Sequence, residues 1–169
     1  LLDEKYNNLY TYDELMYKGL ILKCTFSNDV KHISINESIL FIPKKYQSLN
    51  NPNILKNALK KFLILEAQKE FNQKLSRFEN LGFVYNSLKI TNPKSRWGSC
   101  DLNGNIAINF RAIMLPPICI DYLIIHELAH TIQFNHSKDY WEIVRKFIPN
   151  YKEVRKELKN YNFLQALFR

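Results

Sequence analysis

Between positions 20 and 42 the chain alternates short apolar runs with polar breaks. Leu20 to Phe26, Lys31 to Asn36 and Ser38 to Ile42 are rich in Ile, Leu and Phe, and the pairs Asn28-Asp29 and Asn36-Glu37 between them suit tight turns. The pattern predicts an N-terminal β-rich segment over 1–50. From Pro52 to about Asn80 no further Gly or Pro occurs, and the period becomes helical. Leu55, Leu59 and Phe62 share one helical stripe, whereas Phe71, Leu75 and Phe78 share one nearly opposite. A long helix is predicted whose apolar face changes sides near Phe62 to Leu65. Either it bends there or its ends pack against different layers; we favour the second, with the first half on the N-terminal sheet. Strands return at Phe83 to Ile90 and Arg96 to Cys100, and Asp101-Leu102-Asn103-Gly104 is a strong turn signal before a strand at Asn105 to Phe110. Pro116-Pro117 then opens a helix, since proline is tolerated in a first turn.

That helix runs through an apolar segment, Ile118 to Phe134, which carries His126-Glu127-Leu128-Ala129-His130. Positions i and i+4 of an α-helix lie about 40° apart in azimuth, so both imidazoles can reach one metal ion. Glu127, about 100° from His126, is placed to take a proton from a water held there rather than to bind the ion. Two histidines and a glutamate buried together without a metal would need other partners. After His130 the residues up to Phe134 can finish the helix, and Asn135 tolerates the left-handed conformation at a helix end. The chain then turns, Ser137 caps a new helix carrying Trp141, Val144 and Ile148, and His136 is brought back over the first two histidines. Three protein ligands leave one position open, as in a catalytic zinc site. Glu142, one turn into the next helix, is the rival third ligand. His32 reads as an ordinary surface or core histidine.

Composition narrows the setting. The chain has 169 residues with 46% hydrophobic side chains, enough for a substantial core. Three cysteines, Cys24, Cys100 and Cys119, show no finger or CxxC spacing, so no disulfide framework is expected. No apolar run reaches the length of a membrane helix and no signal peptide opens the chain, which begins at Leu1 without an initiator methionine. A cytoplasmic setting is the expectation. The net charge of +8 is uneven: residues 51–97 hold nine bases and three acids, and 137–169 eight bases and four acids. Such flanks could attract phosphate or nucleic acid, but interleaved Lys and Glu fit solvated helix faces better.

Ser95-Arg96-Trp97-Gly98-Ser99-Cys100, Gly104-Asn105-Ile106, Asp121-Tyr122 before the HExxH motif, Asn135-His136-Ser137 with Trp141, and Pro149-Asn150-Tyr151 together resemble the YgjP-like family of metal-dependent hydrolases. That family is grouped with zinc metallopeptidases and is more distantly similar to SprT-like proteases. The resemblance runs over about 95–151, with departures at Thr131, Asp101 and Tyr140. It implies an α+β fold with a zincin-like core, the HExxH helix beside a small antiparallel sheet, followed by C-terminal helices, within a hydrolase domain over 51–169. It also implies His126, His130 and His136 as zinc ligands and Glu127 as catalytic base. In zincins an edge strand beside the motif helix holds an extended peptide; Ile106 to Phe110 is the candidate, with an internal hairpin strand as the alternative.

Other roles stay open at this stage. Tyr140, Arg145 and Tyr122 are candidates for stabilising an oxyanion. Asp121 has poor helical spacing for orienting His126, so a carboxylate partner from Asp139 or Glu142 is expected. Trp97 reads as core, and Cys100 as a buried hydrophobe rather than a metal thiolate. The leading function is a zinc metallopeptidase acting on peptide or protein. A nucleotide phosphoanhydride hydrolase is the alternative, and a SprT-like nucleic-acid-associated protease the third.

Overall fold

Asn51 ends the extended part of the chain by accepting the Asn53 N–H at 2.9 Å, and Pro52 takes the first helical position. A 28-residue helix follows, α1 (Pro52–Glu79). The structure, a computed structural model, describes residues 13–48 and 51–168. Ahead of α1 lie four strands, β1 (Glu14–Tyr17), β2 (Leu20–Ser27), β3 (Ser34–Asn36) and β4 (Ile39–Pro43). After it come β5 (Ser87–Thr91), β6 (Gly98–Cys100), β7 (Asn105–Asn109) and a 3-10 segment at Phe110–Met114. The helices α2 (Pro117–Ala129), α3 (Lys138–Phe147) and α4 (Tyr151–Lys159) complete the order, with a last 3-10 turn at Asn162–Ala166. The class is α+β, as expected.

Both sheets are mixed, which corrects the expectation of a small antiparallel one. The first has the order β1-β2-β4-β3, with β2 and β4 parallel in the register Cys24↔Leu40. The second has the order β5-β7-β6, with β5 and β7 parallel in the register Leu88↔Ile106 and β6 antiparallel to β7. Turn residues explain the hairpins, because Asp101 Oδ1 accepts both the Asn103 and Asn105 N–H at 2.9 Å. They carry no information on which strand takes the other side of β7. Strand β1 was missed altogether; it is four residues long, and only the turn at Lys18-Gly19 marks it.

In α1 the buried residues Leu55, Leu59, Leu63, Ala67, Phe71 and Leu75 recur every four positions. Each such step advances about 40° around the axis, so from Leu55 to Leu75 the stripe winds by about 200° and the apolar face changes sides, as expected, along one unbroken helix. Helix α1 lies most extensively along Phe110–Met114. Mid-helix it takes Tyr17 Oη on Glu66 at 2.6 Å and Lys18 Nζ on Glu70 at 2.5 Å, and farther on Lys74 reaches Asp121 of α2 at 2.5 Å. Leu15, Met16, Leu22, Leu40 and Ile42 of the first sheet share one buried cluster with α1, α2 and the second sheet. No described helix is long and apolar enough to cross a membrane.

Candidate active site

Helix α2 starts at Pro117, where the missing N–H is one the helix could not have paired. Its other end comes sooner than the sequence suggested. The apolar segment continues to Phe134, but the helix closes on tightened bonds, His130 N–H to Glu127 O at 3.2 Å and Thr131 N–H to Leu128 O at 3.0 Å. The turn is then built from Thr131 Oγ1 on Leu128 O at 2.7 Å and from the Gln133 amide on Asn135 and Ser137, without a left-handed residue at Asn135. Ser137 caps α3 by accepting the Tyr140 N–H at 3.4 Å, as expected.

This turn brings His126, His130 and His136 together, with one ligand atom of each within 4.8 Å of the others. His126 Nε2 and His136 Nε2 are 3.4 Å apart. Two nitrogens on one tetrahedral zinc at about 2.0–2.1 Å would be about 3.3 Å apart, so the donor set fits such an ion. His130 Nδ1 lies 3.3 Å from the Gln133 carbonyl, an acceptor only, which assigns the proton to Nδ1 and leaves Nε2 with its lone pair. His126 Nδ1 lies 3.5 Å from the Tyr122 hydroxyl. The partners that orient the rings are therefore a hydroxyl and a carbonyl, where a carboxylate from Asp139 or Glu142 was expected. His136 is exposed on the turn, and its ring is steadied by stacking on Trp141 at 5.6 Å, which in turn stacks on Tyr151 at 5.0 Å. Glu142 pairs with Arg145 on the surface and is no part of the cluster.

Glu127 is 4% exposed, and its carboxylate faces β6 at Gly98. A β carbon on Gly98 would stand 2.4 Å from Glu127 Oε1, so only glycine lets strand and carboxylate approach this closely. Burial pushes the Glu127 carboxyl up to about 8, against a smaller opposing pull from Arg96. Burial, with His130 and His136 adding, pushes His126 down to about 3, and burial also lowers His136. Two of the rings are thus held neutral, the form that offers lone pairs. Burial first, then Glu127 and Asp101, pushes the Cys100 thiol up to about 11, so it stays protonated and lies outside the histidine cluster.

His126 and Glu127 open into a cavity of about 270 Å³ walled by Trp97, Leu123 and Tyr122. Of the three oxyanion candidates only Tyr122 is there. Tyr140 is fully buried and donates to the His126 carbonyl at 2.8 Å, and Arg145 is engaged with Glu142. Strand β7 lies between β5 and β6, which overturns its reading as the edge; β6 is the edge strand beside α2. Its three residues gave too short an apolar run to outrank β7. Trp97 is buried, as expected, yet also walls the cavity. Sequence reasoning missed the contribution of Gly98 and of Arg155 and Lys159, which also line the cavity. A glycine inside a strand was the available signal for the first; no local pattern marks the other two. His32 is exposed and is no part of the histidine cluster.

A family model for the YgjP-like metallopeptidase domain matches residues 4–161. Among solved structures, the metallopeptidase zymogen of Pyrococcus abyssi abylysin is similar at 22% identity, over 58% of this chain and 90% of that one, with a TM-score of 0.43. No curated protein gives a significant match. Since the family match takes in both sheets, α1 and the whole histidine turn, the chain belongs to the YgjP-like metallopeptidase family.

Proposed function

We propose that the protein is a zinc peptidase in which His126, His130 and His136 hold the metal and Glu127 is the general base. The observation that carries this reading is the convergence of three imidazole nitrogens within 4.8 Å beside a cavity that the buried Glu127 shares with His126. Zinc, when bound, polarises the scissile carbonyl and makes water acidic enough to ionise near neutral pH. Glu127, in its dry setting, is a stronger base than a solvated carboxylate; it takes a proton from the attacking water and hands it to the leaving amine. Gly98 keeps the space in which that carboxylate sits. Tyr122 and the Gln133 carbonyl fix the imidazole orientations.

A peptide substrate is supported by β6, whose one strand partner among the described residues is β7, so that its other edge can pair with an extended chain. The test is to give the zinc-loaded protein a peptide library and, in parallel, nucleoside triphosphates, with Glu127→Gln as the blank. Peptide fragments from the wild type, reduced about 10²- to 10⁴-fold in the variant while zinc content holds, are expected. Triphosphate hydrolysis without peptide cleavage would overturn the reading in favour of a phosphoanhydride hydrolase.

A further inference from the structure

Helix α4 carries Arg155 and Lys159 one turn apart, and both line the cavity that His126 and Glu127 open into. The helix is fixed there: it packs on α2, with Val154 and Leu158 buried. Among the described residues neither cation has a carboxylate partner, whereas Lys18, Lys74 and Arg145 all do. The Arg155 guanidinium lies over the Trp141 ring at 5.3 Å, which limits its freedom without neutralising it. Among the described residues the only acid lining the cavity is Glu127, turned toward Gly98. Trp97, Leu123 and Leu158 supply apolar walls. The cavity, of about 270 Å³, has room for a substrate side chain or chain end.

Resting on the peptidase reading, we infer that Arg155 and Lys159 form a carboxylate-recognition subsite, which selects peptides bearing a carboxylate within a residue or two of the scissile bond. The apolar walls take the carbon stem, and the paired cations take the charged end through charge-assisted hydrogen bonds. The carboxylate can be the free C-terminus or an Asp or Glu side chain. These cations act on the substrate and take no part in proton transfer, so they govern which peptides are cut.

The experiment compares kcat/KM of the zinc-loaded protein on three peptide sets of otherwise equal sequence: amidated and neutral, amidated with Asp or Glu, and neutral with a free C-terminus. At least one carboxylate set is expected to exceed the neutral set by about 10- to 100-fold, and which one does so identifies the source. In the variant with Arg155→Gln and Lys159→Gln that ratio is expected to fall toward one, with thermal unfolding checked to confirm the fold. Equal cutting of all sets by the wild type, or an undiminished ratio in the variant, overturns the subsite while leaving the peptidase reading intact. If no set is cut, the peptidase reading itself fails, and the subsite is decided by binding. The Trp97 indole N–H resonance of Glu127→Gln is then followed during titration with N-acetylglutamate and with its diamide. A saturable shift with the first alone supports the subsite; no shift, or the same shift with both, overturns it.

Discussion

Gly98 sets the distance between β6 and α2. Because a β carbon there would meet Glu127 Oε1 at 2.4 Å and Cδ at 2.9 Å, Gly98→Ala must displace either the strand or the carboxylate. With Glu127 as the proposed base, turnover is expected to fall by about 10²-fold, since a shift of that order at a reacting group is enough, while the zinc content of the zinc-loaded protein is expected to match wild type. Turnover equal to wild type would show that the carboxylate is not needed where it lies. Glu127 also makes the metal-free protein sensitive to pH. Its folded value of about 8 lies above the ordinary 4.5, so the stability it contributes is complete below 4.5 and lost as pH rises to about 8. His126, held at about 3 from 6.5, has the opposite sign: the stability it contributes is complete above 6.5 and lost as pH falls toward 3. Between 4.5 and 6.5 the two oppose each other, and above 6.5 only the Glu127 contribution changes. Denaturant unfolding of the metal-free protein is therefore expected to show about 2 kcal/mol less stability at pH 8 than at pH 6.5, a decline that Glu127→Gln flattens.

Helix α2 ends where it does because α3 supplies what its last turn lacks. The C-terminal carbonyls of a helix have no partner within it, and that of His126 takes the Tyr140 hydroxyl at 2.8 Å. Tyr140 is fully buried between the two helices, with its ring 4.7 Å from those of His130 and His136. One side chain thus joins two elements and walls the histidine cluster. Tyr140→Phe keeps the packing and removes the hydroxyl, so stability should drop by about 1–2 kcal/mol and zinc affinity by on the order of 10-fold, read by calorimetric unfolding and competition with a chelator. Unchanged affinity would mean that the hydroxyl supports the helix end alone.

At the scale of the molecule, the first sheet is stitched to the entry of α2. Lys18 and Gly19 N–H donate to the Ile113 and Met114 carbonyls, both at 2.9 Å, and Gly19 sits at φ 78° with the Pro116 backbone 2.9 Å from where a β carbon would be. An alanine there would meet both a left-handed backbone and that clash. Gly19→Ala is expected to lower stability by at least about 2 kcal/mol and to do so in a single unfolding transition, because one buried cluster runs through both sheets. Two resolved transitions, with only the first shifted, would show that residues up to 50 fold as a separate unit.

The sequence by itself determined whatever depends on neighbours a few positions apart. The i, i+4 spacing of His126 and His130, the Ser137 cap, the proline start of α2 and the turn at Asp101 to Gly104 are local, because helix pitch and turn geometry are fixed within one or two turns of chain. His136 was legible for the same reason, being six residues past His130 across a short turn. What the tertiary structure decided is which distant segments meet. Strand order put β6 at the edge and β7 inside, Tyr122 and Gln133 displaced the expected carboxylates as ring partners, and α4 brought Arg155 and Lys159 into a cavity with residues some thirty positions earlier. Sequence periodicity reports that a face is apolar or charged. It carries no address for the surface which that face will cover, since burial is non-directional and many partners satisfy it equally well.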